Sequence, residues 1–173
     1  HSFCINVPEE EIVKAISILL LSFESTTYNE LATFLDISKQ TLIKYMDTAQ
    51  AALLKNGITV NKIKGKGLSV QGREYDIRDY MKQLINLSEL SNHIIKVAEK
   101  SFLTTSSLKI ARQIISDIEI NSKVHFYEQR RLELLLSYCF HRISIGKTIT
   151  EYDLDIKKDI LINDSECNLF YKS

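Results

Sequence analysis

The sequence predicts a mainly α-helical fold that carries one small two-stranded β-hairpin. Several long segments place apolar residues at helical spacing, and only around residues 58–71 does the pattern change to strand-like alternation. Hydrophobic residues make up 45% of the chain, which is enough for a packed core and unlike a disordered protein. We therefore expect an ordered chain whose 173 residues form one or two small domains.

The first helix is predicted over residues 9–23. Pro8 suits the start of a helix because it lacks an amide hydrogen, and the acidic residues 9–11 complement the positive end of the helix dipole. Apolar side chains then recur at helical spacing: Ile12, Ile16, Leu19, Leu20 and Phe23. We expect this single face of the helix to contact the core.

The second and third helices are marked by capping residues. Thr27-Tyr28-Asn29-Glu30 is a capping-box pattern, which predicts a helix that continues to about residue 35. After a tight connection, Ser38 can cap a third helix over residues 39–55. Asn56-Gly57 ends that helix because glycine readily adopts the left-handed conformation. Its predicted buried positions are Leu42, Met46, Ala49 and Leu53.

The rest of the chain divides into a hairpin and a helical part. Two short strands, 58–63 and 68–71, flank Lys64-Gly65-Lys66-Gly67. Further helices are predicted over residues 74–84, 89–100, 107–118 and 127–145, while residues 152–162 are ambiguous. We expect two domains, 1–86 and 87–173, the second a helical bundle. No proline or glycine lies near their boundary, which favours a rigid helical linker.

The order helix, helix, short turn, helix, hairpin is that of a winged helix-turn-helix. In such a domain the third helix enters the major groove of double-stranded DNA, and the preceding helix braces it across the backbone. Residues 38–67 carry six lysines and one aspartate, whereas residues 1–37 carry one lysine and six acidic residues. The balanced total charge therefore hides a basic segment where a DNA duplex would bind.

The candidate DNA contacts lie at the start of the third helix and on the hairpin. Glutamine can pair with adenine, lysine with guanine or phosphate, and threonine or isoleucine can contact a thymine methyl group. The helix candidates are Ser38, Lys39, Gln40, Thr41, Ile43 and Lys44. The hairpin candidates are Lys62, Lys64 and Lys66, which alternate along the hairpin. Alternate strand residues share a face, so these lysines could contact phosphate together.

Two other interpretations of the same pattern remain open. A lysine-rich hairpin is often only a solvated edge that resists aggregation. A winged helix can also serve as a protein-interaction module, with the helical half as a dimerisation unit. Loss of partner binding, with DNA affinity unchanged, after replacement of Lys39, Gln40 and Lys44 would favour that alternative.

The first half of the chain resembles the winged helix-turn-helix of bacterial sugar-operon regulators. The matching residues are Glu30-Leu31-Ala32-x-x-Leu35-x-Ile37-Ser38-x-x-Thr41-Leu42, then Gly65-Lys66-Gly67-Leu68-x-Val70-x-Gly72 and Glu74-x-x-Ile77-Arg78. The resemblance is to activators with phosphotransferase-system regulation domains, such as mannitol- and lichenan-type operon regulators. Virulence regulators related to this group share the helix-turn-helix, so the resemblance implies as an alternative a virulence-type regulator whose degenerate regulation domain is not phosphorylated. Tyr45 departs from the family pattern, which usually has an acidic residue there.

The second half resembles the beginning of a phosphotransferase-system regulation domain. Residues 132–142 followed by Ile143, Gly146 and Ile149 are similar to the family's long helix that ends in Arg-Ile-x-x-Gly-x-x-Ile. The resemblance implies homodimers whose packing responds to histidine phosphorylation by phosphocarrier proteins. One such histidine would fall at Leu135, which cannot accept a phosphoryl group. The domain is therefore expected to be incomplete or divergent.

The remaining histidines and cysteines favour structural roles. His93, His125 and His141 lack a clear motif, and we expect surface or structural positions for them, with any phosphorylation site undetermined. The cysteines at 4, 139 and 167 lack metal-ligand spacing and suggest reduced thiols in a cytoplasmic protein. Neither a membrane-spanning segment nor a phosphate-binding glycine loop is evident. We expect no membrane, metal or cofactor, and a transcriptional regulator rather than an enzyme.

Overall fold

A computed structural model describes residues 7–85, 91–123, 125–126 and 129–150. The described chain is mainly helical and has one two-stranded antiparallel sheet, as the sequence predicts. The helices and strands follow one another as α1 Glu9–Ser22, α2 Tyr28–Leu35, α3 Lys39–Lys55, β1 Thr59–Ile63, β2 Gly67–Gln71, α4 Glu74–Leu84, α5 Asn92–Phe102, α6 Thr105–Ser122 and α7 Gln129–Ser144. The ambiguous segment 152–162 lies outside the described residues.

Helix α1 is buried on all sides along its second half. The expected core positions Ile16, Leu19 and Leu20 are buried, but every other residue from 15 to 22 is buried as well. The reason is that α1 packs against α3 and also against α5, with further contacts to α2, α4 and α7. The prediction of a single buried face was therefore too narrow, because a helix surrounded by neighbours has no solvent side.

The predicted caps form at both α2 and α3. Thr27 accepts a hydrogen bond from the Glu30 amide, and the Glu30 carboxylate accepts one from the Thr27 amide at 2.7 Å. Ser38 Oγ accepts a hydrogen bond from the Thr41 amide at 3.0 Å. Between the two helices, Asp36 adopts the left-handed conformation with φ 54°. These local bonds fix where α3 begins, and its predicted buried positions are confirmed.

The hairpin is anchored to the segment between α1 and α2. Its strands pair from Thr59 opposite Gln71 to Ile63 opposite Gly67. Thr26 and Leu68 exchange two backbone hydrogen bonds, with N–O distances of 2.8 Å and 2.6 Å. Beside that bridge, Gly67 has φ +90°, and a Cβ there would overlap the Thr26 carbonyl oxygen. The position therefore requires glycine.

The later helices pack onto the same core as the earlier ones. Helix α6 contacts α7, and α7 contacts α1, α4 and α5. The predicted helices start and end within a few residues of α4 to α7. One continuous apolar cluster runs from Ala15 to Tyr138 and includes residues from both sides of position 86. The predicted division between 1–86 and 87–173 stays a prediction, and residues 86–90 lie outside the described part.

None of the helices in the described ranges is both long enough and apolar enough to cross a membrane.

Candidate nucleic-acid interface

Of the candidate DNA contacts at the start of α3, some are exposed and others form hydrogen bonds with each other. Lys39 and Gln40 are exposed, and the side chain of Ile43 is 51% exposed although it is apolar. Ser38 and Thr41 instead bond to each other, since their hydroxyl oxygens lie 2.9 Å apart and Ser38 also caps the helix. The arrangement leaves Lys39, Gln40 and Ile43 as the side chains that project most freely.

Lys44 is held by a residue from another helix. Its ammonium group donates to Glu9 Oε1 at 2.9 Å and lies 3.0 Å from the Tyr45 hydroxyl oxygen. The Tyr45 hydroxyl donates to the same Glu9 oxygen at 2.7 Å. The hydrogen bonds from Lys44 and Tyr45 lower the pKa of Glu9, and the hydrogen bonds to Tyr45 and Glu9 raise the pKa of Lys44. The Lys44 ammonium is therefore already paired.

The hairpin lysines are exposed, but they do not share one strand face. Lys62 belongs to β1, which ends at Ile63, whereas Lys64 and Lys66 lie in the turn 64–66. The chain reverses there because Gly65, at φ +80°, and Gly67 both adopt the left-handed region. The predicted position of Lys64 and Lys66 between the two strands is confirmed. The strand alternation from which a shared face with Lys62 was inferred therefore does not extend to them.

A cleft joins the hairpin to the start of α3. It has a volume of about 210 Å³, and Lys39 from α3 and Lys62 from β1 both line it. The first turn of α2 and the beginning of β2 close the remaining sides. Lys39 of α3 and Lys62 of β1 therefore lie on the same side of the molecule, on either side of this cleft. We call the surface formed by Lys39, Gln40, Ile43, Lys44, Lys62, Lys64 and Lys66 the α3–hairpin face.

Most of the positive charge on the α3–hairpin face is unneutralised. Among the described residues, no ion pair involves Lys39, Lys62, Lys64 or Lys66, in contrast to Lys44. Neighbouring lysines that lack carboxylate partners attract polyanions through long-range electrostatics. The face can therefore receive phosphate groups without first breaking contacts inside the protein.

A second polar cluster, which the sequence did not reveal, lies inside the molecule. Arg142 forms a bidentate ion pair with Glu74, with N–O distances of 3.0 Å and 2.6 Å, and also donates to the Leu21 carbonyl at 3.1 Å. Tyr138 donates to the same carbonyl at 2.9 Å, and burial raises the pKa of its hydroxyl. Glu74 also accepts from Arg78 at 2.9 Å.

His141 completes this cluster. Its Nε2 donates to the Ser22 carbonyl oxygen at 2.6 Å, at the end of α1. We call the set Leu21, Ser22, Glu74, Tyr138, His141 and Arg142 the α1–α4–α7 junction. Side chains of α7 thus satisfy carbonyls that the last turn of α1 cannot bond internally. The only sequence signal was the Arg-Ile-x-x-Gly segment, which did not identify Glu74 as a partner 68 positions away.

The other histidines and the described cysteine offer no assembled reactive site. Exposed His125 lies 3.0 Å from Glu119, and His93 is partly buried in the first turn of α5. Cys139 is a free thiol, and Leu135 packs against the core. In the part of the chain that the structure covers, no three His, Cys, Asp or Glu side chains are close enough to hold a metal ion.

No protein-family model, curated protein or solved structure matches this chain. The resemblance to sugar-operon regulators therefore stays a prediction from the residue pattern.

Proposed function

We propose that this protein is a sequence-specific, double-stranded DNA-binding transcriptional regulator and that α2, α3 and the hairpin act as a winged helix-turn-helix. The observation that carries the proposal is the cleft lined by both Lys39 and Lys62. Because Lys39 of the helix and Lys62 of the hairpin line one cleft, and neither has an ion pair among the described residues, a single duplex could contact both. A major groove is wide enough to admit one helix, which α3 would supply.

The side chains divide into groups that read bases and groups that contact the backbone. Gln40 can form a bidentate pair with an adenine edge, Lys39 can donate to guanine or phosphate, and Ile43 can contact a thymine methyl group. Lys62, Lys64 and Lys66 would contact phosphates beside the groove, which adds affinity but little sequence information. The exposure of Ile43 supports this division, since an apolar side chain on a charged face suits a methyl contact.

The salt dependence of duplex binding tests the backbone contacts. The triple variant Lys62→Ala, Lys64→Ala and Lys66→Ala should flatten the slope of log Kobs against log salt by about 0.9 per lost phosphate contact. Fluorescence anisotropy with a labelled duplex measures this slope. The matched control removes three exposed lysines from α5 and α6, namely Lys96, Lys100 and Lys109. An equal effect of both triple variants would show that only total charge matters and would contradict the hairpin contact.

Selection from a random duplex pool tests sequence recognition. The wild-type protein should enrich a defined motif, and Gln40→Ala should lose one adenine preference, at a cost of about 1–3 kcal/mol in discrimination. If both proteins enrich the same motif, Gln40 does not contribute to base recognition. A wild-type protein that enriches no motif, but whose α3 substitutions abolish binding of a protein partner, would favour the interaction module instead.

We also propose that the regulator acts as a homodimer and responds to the sugar phosphotransferase system. A dimer would match two half-sites on DNA, and the exposed isoleucines of α6, Ile110, Ile118 and Ile120, offer apolar surface in the helical half. Analytical ultracentrifugation of Ile110→Asp and Ile118→Asp variants tests this part of the proposal. A wild-type monomer at concentrations that saturate DNA would contradict it.

The hydrogen bond of His141 favours the virulence-type alternative, in which the helical half is not phosphorylated. Its Nε2 is bonded to a backbone carbonyl, and Leu135 stands where a phosphorylated histidine is expected. Incubation with energised phosphocarrier proteins, followed by mass analysis of peptides with His93, His125 and His141, separates the two cases. A phosphorylated histidine would support the sugar-responsive regulator, and its absence would support the alternative.

A further inference from the structure

Helix α1 places a carboxylate on the α3–hairpin face. Glu9 is the first residue of α1, and its side chain reaches Lys44 on the outward side of α3. Glu9, Lys44 and Tyr45 form a closed set of hydrogen bonds with distances of 2.9 Å, 3.0 Å and 2.7 Å. The Lys44 ammonium also lies 4.6 Å from the centre of the Tyr45 ring. Each of the three groups therefore contacts both of the others.

The position of this carboxylate is set by the core and not by a mobile loop. Helices α1 and α3 pack directly against each other, and α1 is buried from Ala15 onward. Glu9 belongs to the same continuous helix, and its side chain reaches Lys44 although the two side chains are 69% and 63% exposed. A phosphate that approaches Lys44 meets the Glu9 carboxylate at the same place.

Lys44 differs in this respect from Lys39, which lies on the same helix. Among the described residues, Lys39 has no ion pair, so a phosphate can bind it without displacing another anion. A phosphate at Lys44 has to compete with an oxygen that is already 2.9 Å away. The Glu9 carboxylate would repel a phosphate that approaches Lys44. Lys44 then makes no phosphate contact, and the release of one counterion that such a contact would bring is lost.

We infer that Glu9 is a specificity-determining residue, which withholds Lys44 from the DNA backbone and so lowers sequence-independent affinity. This inference rests on the proposed DNA-binding function. A regulator must find its site among a large excess of other DNA, and nonspecific binding comes almost entirely from phosphate contacts. Neutralising one lysine near the bases weakens nonspecific binding, while Lys39 and Gln40 remain available for base edges.

Glu9→Gln tests the inference because it removes the charge and keeps the size of the side chain. Binding to an arbitrary duplex should become about 5-fold tighter at 0.1 M salt, and the slope of log Kobs against log salt should steepen by about 0.9. Adding Lys44→Gln to this variant should return the slope to the wild-type value. Lys44→Gln alone, in the presence of Glu9, should leave the slope unchanged.

Glu10→Gln is the matched control. Glu10 lies in the same turn of α1 and carries the same charge, but it pairs with Lys14 of its own helix at 2.8 Å. Equal slopes for Glu9→Gln and Glu10→Gln would overturn the inference, because the effect would then come from general charge. If the wild-type protein binds no duplex at any salt concentration, the proposed function fails and the inference fails with it. If the wild type binds and only the Glu9 effect is missing, the inference alone fails.

Discussion

The α3–hairpin face and the α1–α4–α7 junction both contain basic side chains, but the two regions hold them in different ways. On the face, Lys39, Lys62, Lys64 and Lys66 are exposed, and Lys44 pairs with a carboxylate that is itself 69% exposed. In the junction, Arg142 is 3% exposed and forms its ion pair with Glu74, which is 8% exposed. The charges of the face are thus open to solvent, whereas those of the junction are enclosed by the core.

This contrast teaches which charges the fold depends on. An exposed ion pair contributes little to stability because water and salt screen it. A buried ion pair matters to stability mainly when it is broken, because removal of one partner leaves an uncompensated charge inside the protein. The face can therefore change its charges while the fold persists, and the junction cannot.

The largest effect is expected from Arg142→Met. The substitution leaves the Glu74 carboxylate buried with only Arg78 as its partner, and we expect a loss of about 3–5 kcal/mol in the free energy of unfolding. Urea unfolding followed by circular dichroism measures the change. Arg112→Met is the control, because Arg112 also pairs with a glutamate, at 2.8 Å, but its side chain is 59% exposed. Comparable losses in both variants would refute the distinction between the two regions.

A double variant sharpens the same comparison. Glu74→Leu with Arg142→Met removes both charges of this pair and leaves Arg78, which is 16% exposed, with its hydrogen bond to the Lys147 carbonyl. We expect the double variant to recover part of the stability that Arg142→Met loses. An additive result would mean that Arg142 stabilises the junction mainly through the Leu21 carbonyl and through packing.

The next largest effect is expected from Gly67→Ala, which tests the backbone features that position the hairpin. An alanine at φ +90° is strained, and its Cβ would also overlap the Thr26 oxygen, so we expect a loss of about 2–3 kcal/mol. Gly65→Ala is the matched control, because its φ of +80° is similar but no atom lies within 4 Å of the added Cβ. It should lose only about 1 kcal/mol. Equal losses would mean that the contact with Thr26 contributes nothing.

A smaller and pH-dependent effect is expected from Glu30→Gln in the capping box of α2. Hydrogen bonds from the Thr27 backbone and side chain lower the pKa of Glu30 below its ordinary value of 4.5. A lowered folded-state pKa gives stability that is present above pH 4.5 and is lost as the pH falls through the folded value. The thermal midpoint of the wild type should thus exceed that of the variant at pH 7, and the two should converge once the pH falls below the folded-state pKa of Glu30. A difference in thermal midpoint that does not change with pH would contradict a stabilising role for the ionised Glu30 carboxylate.

The smallest effect on stability is expected from the lysine triple variant of the hairpin. Each exposed lysine should change the free energy of unfolding by no more than about 0.5 kcal/mol. Urea unfolding of the same triple variant measures the change in the free energy of unfolding directly. A loss as large as that of Gly67→Ala would show that the hairpin needs its lysines for folding, and a defect in DNA binding could then not be assigned to lost phosphate contacts.

The features that could be predicted from the sequence are those that depend on near neighbours. The bounds of α3 follow from the Ser38 cap and from Asn56-Gly57, which act within one turn of the chain, and the structure confirms both ends. The capping box of α2 is local in the same sense. Lys39, Gln40 and Ile43 were correctly expected on the outward side of α3, because helical periodicity fixes which side faces the core.

The features that could not be predicted depend on packing between distant segments. The all-round burial of α1 requires α5, and the pairing of Glu74 with Arg142 requires α4 to meet α7. The contact from Glu9 to Lys44 likewise joins two helices. The shared face inferred for Lys62, Lys64 and Lys66 relied on strand alternation, which does not extend into the turn that Gly65 and Gly67 form.

The donation of hydrogen bonds from α7 to the last carbonyls of α1 has a consequence for dissecting the chain. A fragment cut near residue 86 would retain α3 and the hairpin but would lose Tyr138, His141 and Arg142 from the end of α1. It would also uncover the side of α1 that α5 shields from water. We expect such a fragment to self-associate through this apolar helix, so binding measured with it would report on aggregates and not on the isolated segment of α2, α3 and the hairpin.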